Sequence, residues 1–475
     1  MSGQSREKKL ITDTILLGFG YIIPLVVNLI LLPIYTAFLS QNDYGLYDLI
    51  TVISSLLITL ATLQVKQAGM RFLIACRSRE DNREAQKIVS NVFAFISLAA
   101  GIVLTITLAA PRDIVLQTRI FIGLYFIAQI FLDTLKQMVR GLGRNKDYVV
   151  GVCVQMLSSV FFVVAFLLLH GGKLNSVLFA STLSLISACI FLFTRAKLYR
   201  YIALKTCSPA YIKKLLGFSM PIAFSSFSMW IVSVSDRFII TFFLGSGANG
   251  LYAAANKIPN ILQQAFSVFN LSWQENASLS INDKDADQYF SDVFHMMFNV
   301  MIGISCIMAG VMPAAFHILV NESFDEAYYQ MPILVMAYFF ASMNGYFGNI
   351  FFAINKTIIN AVSTTIGAIL NLIIDLLLIN KIGLYAASIS TLASYTVLTL
   401  IRFFAVLKWK NMHYDYKIIF IRVAVFIIFC MSAYYRNLYC TIIRIVCALL
   451  FSFWINRVMI KSLFQMRTNA KTLSH

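Results

Sequence analysis

The sequence predicts an all-α, multi-pass membrane protein made of two similar halves with two further helices after them. Three observations carry that expectation. Of 475 residues, 59% are apolar and 12% charged, and mean hydropathy is +0.77; soluble domains carry about 45–50% apolar and about 25% charged residues. The apolar excess runs along the whole chain in blocks of the length a bilayer core requires, about 20 residues per helix. Third, short motifs recur. Phe-Leu-x5-Gly-Leu-Tyr stands at 38–47 and again at 243–252, a spacing of 205.

In order, helices are expected near 13–38, 46–65, 89–110, 116–138, 148–169, 176–194, 216–243, 250–273, 291–313, 331–354, 358–380, 384–407, 418–435 and 440–460, about fourteen in all. Two weaker matches keep the same order in both halves. LLGF occurs at 16–19 and 215–218, and Asn145-Lys146 is echoed by Asn355-Lys356. An even number of helices separates the copies, so both halves insert in the same direction, as a parallel repeat about an axis along the membrane normal. The expected organisation is a tail at 1–12, a six-helix lobe at 13–194 and a basic linker at 195–215. A second six-helix lobe follows at 216–407, then helices thirteen and fourteen at 418–460 and a tail at 461–475. Two such lobes imply a cavity between them and alternating access.

The net charge of +17 is assigned to topology and not to nucleic acid. Loops on the side of the N-terminal tail hold 21 basic residues through helix twelve, against Arg112, Arg119, Lys173 and Lys381 on the other. This places both termini in the cytoplasm. The eight cysteines show neither metal-ligand spacing nor a disulfide framework. No metal or cofactor is expected. All loops are short, the longest outer one lying around 314–330, which leaves little from which to build an enzyme site.

Charged residues inside a span cost about 2.5–3.5 kcal/mol each on insertion scales and suggest function. Asp236, Arg237 and Lys257 flank the Gly-rich turn at similar distances, roughly 12–14 Å below it at about 1.5 Å per residue. One carboxylate and two cations would leave a positive charge facing the cavity, suited to phosphate or an acidic sugar. The competing reading has Asp236 pair with Lys257 to lock helix seven to helix eight. Arg119 is a cation snorkelling at the outer end of its helix or standing at the cavity rim. Asp133 and Lys136, three apart, share one helix face. Asp375 and His295 are coupling or structural candidates.

The Tyr44-Gly45-Leu46-Tyr47 turn, Asp236-Arg237-Phe238-Ile239-Ile240, Leu244-Gly245, Gly250-Leu251-Tyr252 and Asn256-Lys257-Ile258 together resemble the oligosaccharide flippases of bacterial surface-polysaccharide synthesis (the Wzx type). These are members of the MATE-like superfamily. The resemblance implies translocation of a polyprenyl-pyrophosphate-linked oligosaccharide (O-antigen of lipopolysaccharide, capsule or exopolysaccharide) to the outer leaflet of a bacterial inner membrane. It also implies a cationic cavity between the lobes, proton or sodium coupling, and a polysaccharide polymerase and chain-length proteins as partners. The alternatives are a cation-coupled drug antiporter or a lipid-linked cell-wall-precursor flippase. Helix one has no carboxylate between Asp13 and Asp43, which speaks against a cation site there.

Overall fold

The computed structural model describes residues 3–79, 81–109, 115–281, 283–354 and 356–472. Asn355 of the third repeat match and Arg112 of the outer loops lie outside them. Among the described residues the chain is helical throughout, with no strand. It divides into two compact units, residues 1–238 with 245–250, and residues 239–244 with 251–475.

Unit 1 contains α1 (Gly3–Phe38), α2 (Gln41–Thr62), α3 (Val65–Arg79), α4 (Asn82–Leu108), α5 (Leu116–Gly141), α6 (Asn145–His170), α7 (Leu174–Arg195) and most of α8 (Pro209–Leu244). Ser40 starts α2 by accepting the Asp43 N–H at 3.0 Å, and Asp81 does the same for α4 through Glu84. The expected loop after helix two instead carries α3. Leu63 (φ 44°) and Gln64 (φ 55°) turn the chain in the left-handed region, and the helix resumes at once. The reason is packing: Val65, Ala68 and Leu73 enter the unit's core beside Ile88, Val92, Met138 and Leu192. Basic residues read as loop thus sit on an amphipathic helix.

Unit 2 contains most of α9 (Ser246–Lys257), then α10 (Asn260–Leu279), α11 (Ala286–Leu319), α12 (Met331–Ala353), α13 (Thr357–Ile382), α14 (Tyr385–Val406), α15 (Tyr416–Ser432) and α16 (Leu438–Thr472). The span expected at 250–273 is two helices, separated at Ile258–Pro259. Proline lacks an N–H and disfavours helix in the residue before it. Trp273 stacks on Tyr346, ring centroids 4.9 Å apart, and donates its indole N–H to the Tyr346 carbonyl at 3.1 Å. The last two helices lie against α11, where a Cβ at Gly303 would crowd Ser452 and Asn456.

Among the described residues ten helices are long and apolar enough to cross a membrane. The other four expected spans fall on α1, α8, the α9–α10 pair and α15.

Candidate functional site

The residues leading into the two Gly-Leu-Tyr copies, 41–45 and 245–250, meet inside unit 1. A Cβ on Gly45 would overlap the carbonyl oxygen of Ser246, and one on Gly250 would overlap that of Gln41. Residues 41 and 246, like 45 and 250, are one repeat apart, so the contact maps onto itself when the copies are exchanged. Asn249 donates to the Gly45 carbonyl at 2.9 Å, and Ser246 is bonded to Asn42. Only glycine permits so close a backbone approach.

One helical turn below this crossing the symmetry fails. Arg237 on α8 donates its Nε–H to Asp48 Oδ2 on α2 at 2.7 Å, with both side chains largely buried. Residues one repeat away, Ala253 for Asp48 and Leu32 for Arg237, are buried and apolar. Aromatic groups surround the pair. Tyr44, 1% exposed, precedes Asp48 by one helical turn. Tyr35 packs against Tyr44 and Tyr47 at 5.9 and 5.5 Å between ring centroids, and the Tyr47 hydroxyl lies 3.0 Å from that of Ser181. Further along α8, Trp230 donates to Ser55 Oγ at 2.8 Å. An ion pair in apolar surroundings is worth keeping only if both ends are satisfied. The carboxylate also changes the expected charge. The expected set of Asp236, Arg237 and Lys257 carries a formal charge of +1, and adding Asp48 brings that sum to zero.

The remaining expected residues fall in several places. Asp236 is buried on α8, and Lys257, half-buried, ends α9 in unit 2. Arg119 at the start of α5 donates to the Leu108 carbonyl at 3.1 Å, capping the end of α4. Asp133 and Lys136 have separate partners: Asp133 pairs with Lys66 of α3, and Lys136 donates to Gln155 Oε1 at 2.7 Å. His295 Nε2 lies 3.2 Å from the His413 carbonyl. Asp375 is fully buried and accepts from the Ser390 hydroxyl at 2.9 Å, which accepts from Asn371 at 3.1 Å.

Buried charges that the sequence reading does not single out include Asp48 and Arg402. Asp48 carried a signal, being a carboxylate inside an apolar span directly after the repeated Gly-Leu-Tyr. Arg402 on α14 is 6% exposed. It donates to Ser363 Oγ (2.9 Å), Thr364 Oγ1 (2.9 Å) and the carbonyls of Asn344 (3.0 Å) and Asn360 (3.2 Å). Its position in an apolar helix was the available sign.

Comparison with known proteins places this geometry. An uncharacterized membrane protein of Methanocaldococcus jannaschii is 23% identical over 400 residues, 77% of each chain. Among solved structures, the lipid II flippase MurJ in an inward closed conformation matches with a TM-score of 0.70, covering 96% of this chain and 100% of that one at 13% identity. An inward-facing multidrug resistance MATE family transporter of the MOP superfamily matches at 0.67, covering 80% and 92% at 12% identity. These likenesses establish the all-helical, two-lobed MATE-like fold. The model of the family described as polysaccharide biosynthesis protein matches residues 10–273, more than half of the 475, and the chain belongs to that family.

Proposed function

We propose that this protein is a flippase that carries a polyprenyl-pyrophosphate-linked oligosaccharide, such as an O-antigen, capsule or exopolysaccharide unit, from the cytoplasmic to the outer leaflet of a bacterial inner membrane. Family membership supports the polysaccharide context, and the fold is one shared with transporters. The observation that carries the reading to residues is the unmatched Asp48–Arg237 pair. A guanidinium buried alone costs several kcal/mol, so Asp48 acts as its resting counter-ion. A phosphate can take over that role, since guanidinium binds carboxylate and phosphate alike through its planar fork. Cargo entry then exchanges one anion for another at Arg237 without exposing a bare charge. Lys257, Asp236, Arg119, Asp375 and His295 are further candidates, each for cargo contact or ion coupling. Both termini are cytoplasmic in this reading, and a polysaccharide polymerase with chain-length proteins receives the flipped unit.

Deleting the gene should trap lipid-linked oligosaccharide in the cytoplasmic leaflet, measured by its protection from an external glycan-modifying reagent. Re-expressed Arg237→Ala should reach the membrane without restoring export. Sensitivity to cationic drugs with no trapped glycan would instead indicate an antiporter. Trapped cell-wall precursor would indicate the precursor-flippase alternative.

A further inference from the structure

Away from the ion pair, α4, α5 and α7 of unit 1 border a cavity of about 540 Å³, within the range of a small-ligand site. Its walls are Phe93 and Ala94 on α4, Phe131 and Leu135 on α5, and Ile190 and Phe193 on α7. The lining is almost wholly apolar. The cavity opens outward at Ser97 and Ile190, both exposed, the latter by 60%. In a chain that spans a membrane, an open apolar recess between helices meets hydrocarbon chains.

One end of the recess meets a basic segment. Ser90 and Ile202 belong to the lining. The Ser90 hydroxyl donates to the Tyr201 carbonyl at 3.2 Å and accepts the Ala203 N–H at 2.8 Å. Asn91 fastens the same segment by accepting the Ser208 N–H at 2.8 Å and donating to the Thr206 carbonyl at 3.1 Å. That segment carries Lys197, Arg200 and Lys205, all exposed, and Arg83 and Lys87 are exposed on the first turns of α4. Among the described residues Lys197, Arg200 and Lys205 form no ion pair with a carboxylate. An apolar recess that ends at fixed, exposed cations fits a lipid with an anionic head.

We propose that this recess and its rim hold one anionic glycerophospholipid of the surrounding bilayer, an acyl chain in the cavity and the phosphate on the rim cations. The site stands on α4, α5 and α7, apart from the Asp48–Arg237 pair, and its existence does not depend on which cargo is transported.

The test uses the full-length protein, purified from bilayers of mixed phosphatidylglycerol and phosphatidylcholine and weighed intact by native mass spectrometry. Wild type should retain phosphatidylglycerol over phosphatidylcholine by about tenfold or more, as expected for several cations beside one phosphate. The triple substitution Lys197→Ala, Arg200→Ala, Lys205→Ala should remove most of that preference, and Ala94→Trp should lower retention of either lipid. A second readout needs no variant. Cys189 lines the cavity and is half-buried, so phosphatidylglycerol should slow its alkylation by a maleimide relative to phosphatidylcholine. Equal retention of the two lipids together with equal alkylation rates would overturn the proposal. Preferential retention of an added isoprenyl phosphate over phosphatidylglycerol would also overturn it, by assigning the recess to an isoprenoid tail.

Discussion

Both units bury an arginine, and they neutralise it by different means. In unit 1, Arg237 faces a full negative charge on Asp48, contributed by a helix 189 residues earlier in the chain. In unit 2, Arg402 donates to two hydroxyls and two backbone carbonyls on α12 and α13, with no carboxylate bonded to it among the described residues. The difference separates a site that can change partners from one that cannot. A single carboxylate on a side chain can yield its place to another anion. Four neutral acceptors anchored to helix backbones cannot leave together, so they hold the guanidinium in place. The Arg402 cage therefore reads as a tie joining α12, α13 and α14, and the Asp48–Arg237 pair as the exchangeable element.

The comparison can be broken most severely from above the pair. Gly45→Val would drive a branched side chain into the Ser246 carbonyl, and an expected loss of about 4 kcal/mol or more should prevent recovery of folded protein. Normal yield of Gly45→Val on size-exclusion chromatography would mean the crossing does not position α2 against α8. Next, Asp48→Ala removes the carboxylate bonded to Arg237 and should cost about 3 kcal/mol in thermal stability, while Asp48→Ala with Arg237→Ala should cost much less than the two single changes added. Additive losses would show that the two groups act separately.

Arg402→Lys comes third. A lysine keeps the charge but loses the planar fork, so about 2 kcal/mol should be lost with the transport rate of the surviving protein unchanged. A selective loss of transport at full stability would make Arg402 part of the moving site and would erase the contrast. Smallest is Lys66→Ala. Lys66 is 7% exposed, but its partner Asp133 keeps 35% of its side-chain surface exposed and can turn to water, so about 1 kcal/mol should be lost in thermal stability.

Sequence patterning was enough for the helices, because a bilayer imposes length and apolarity on each span separately and leaves them readable one at a time. Thirteen of the fourteen expected spans each fall on one helix, and the one at 250–273 falls on the α9–α10 pair. What patterning missed lay at ends and breaks. The α3 helix is hidden in the sequence because its four basic residues mask the narrow apolar stripe of Val65, Ala68 and Leu73. The interruption at Pro259 was passed over because apolar composition continues across it.

For the site, the chain on its own singled out Asp236, Arg237 and Lys257 as charges in apolar helices, and the Gly-Leu-Tyr repeat as the place around which they gather. The repeat spacing even indicated which positions are equivalent. It did not indicate that the two glycines touch, that Arg237 bonds to Asp48, or that Asp133 and Lys136 take different partners. Periodicity and spacing constrain a residue against its neighbours on the same helix, within a turn or two. A bond between α2 and α8 depends on how two helices far apart in the chain are brought side by side, and no local pattern encodes that approach. The sequence by itself determined that Asp236 and Arg237 stand as charges in an apolar helix beside the repeated turn. Only the tertiary structure decided which opposite charge, or which set of neutral dipoles, would meet each one, because that choice is made by packing across the fold.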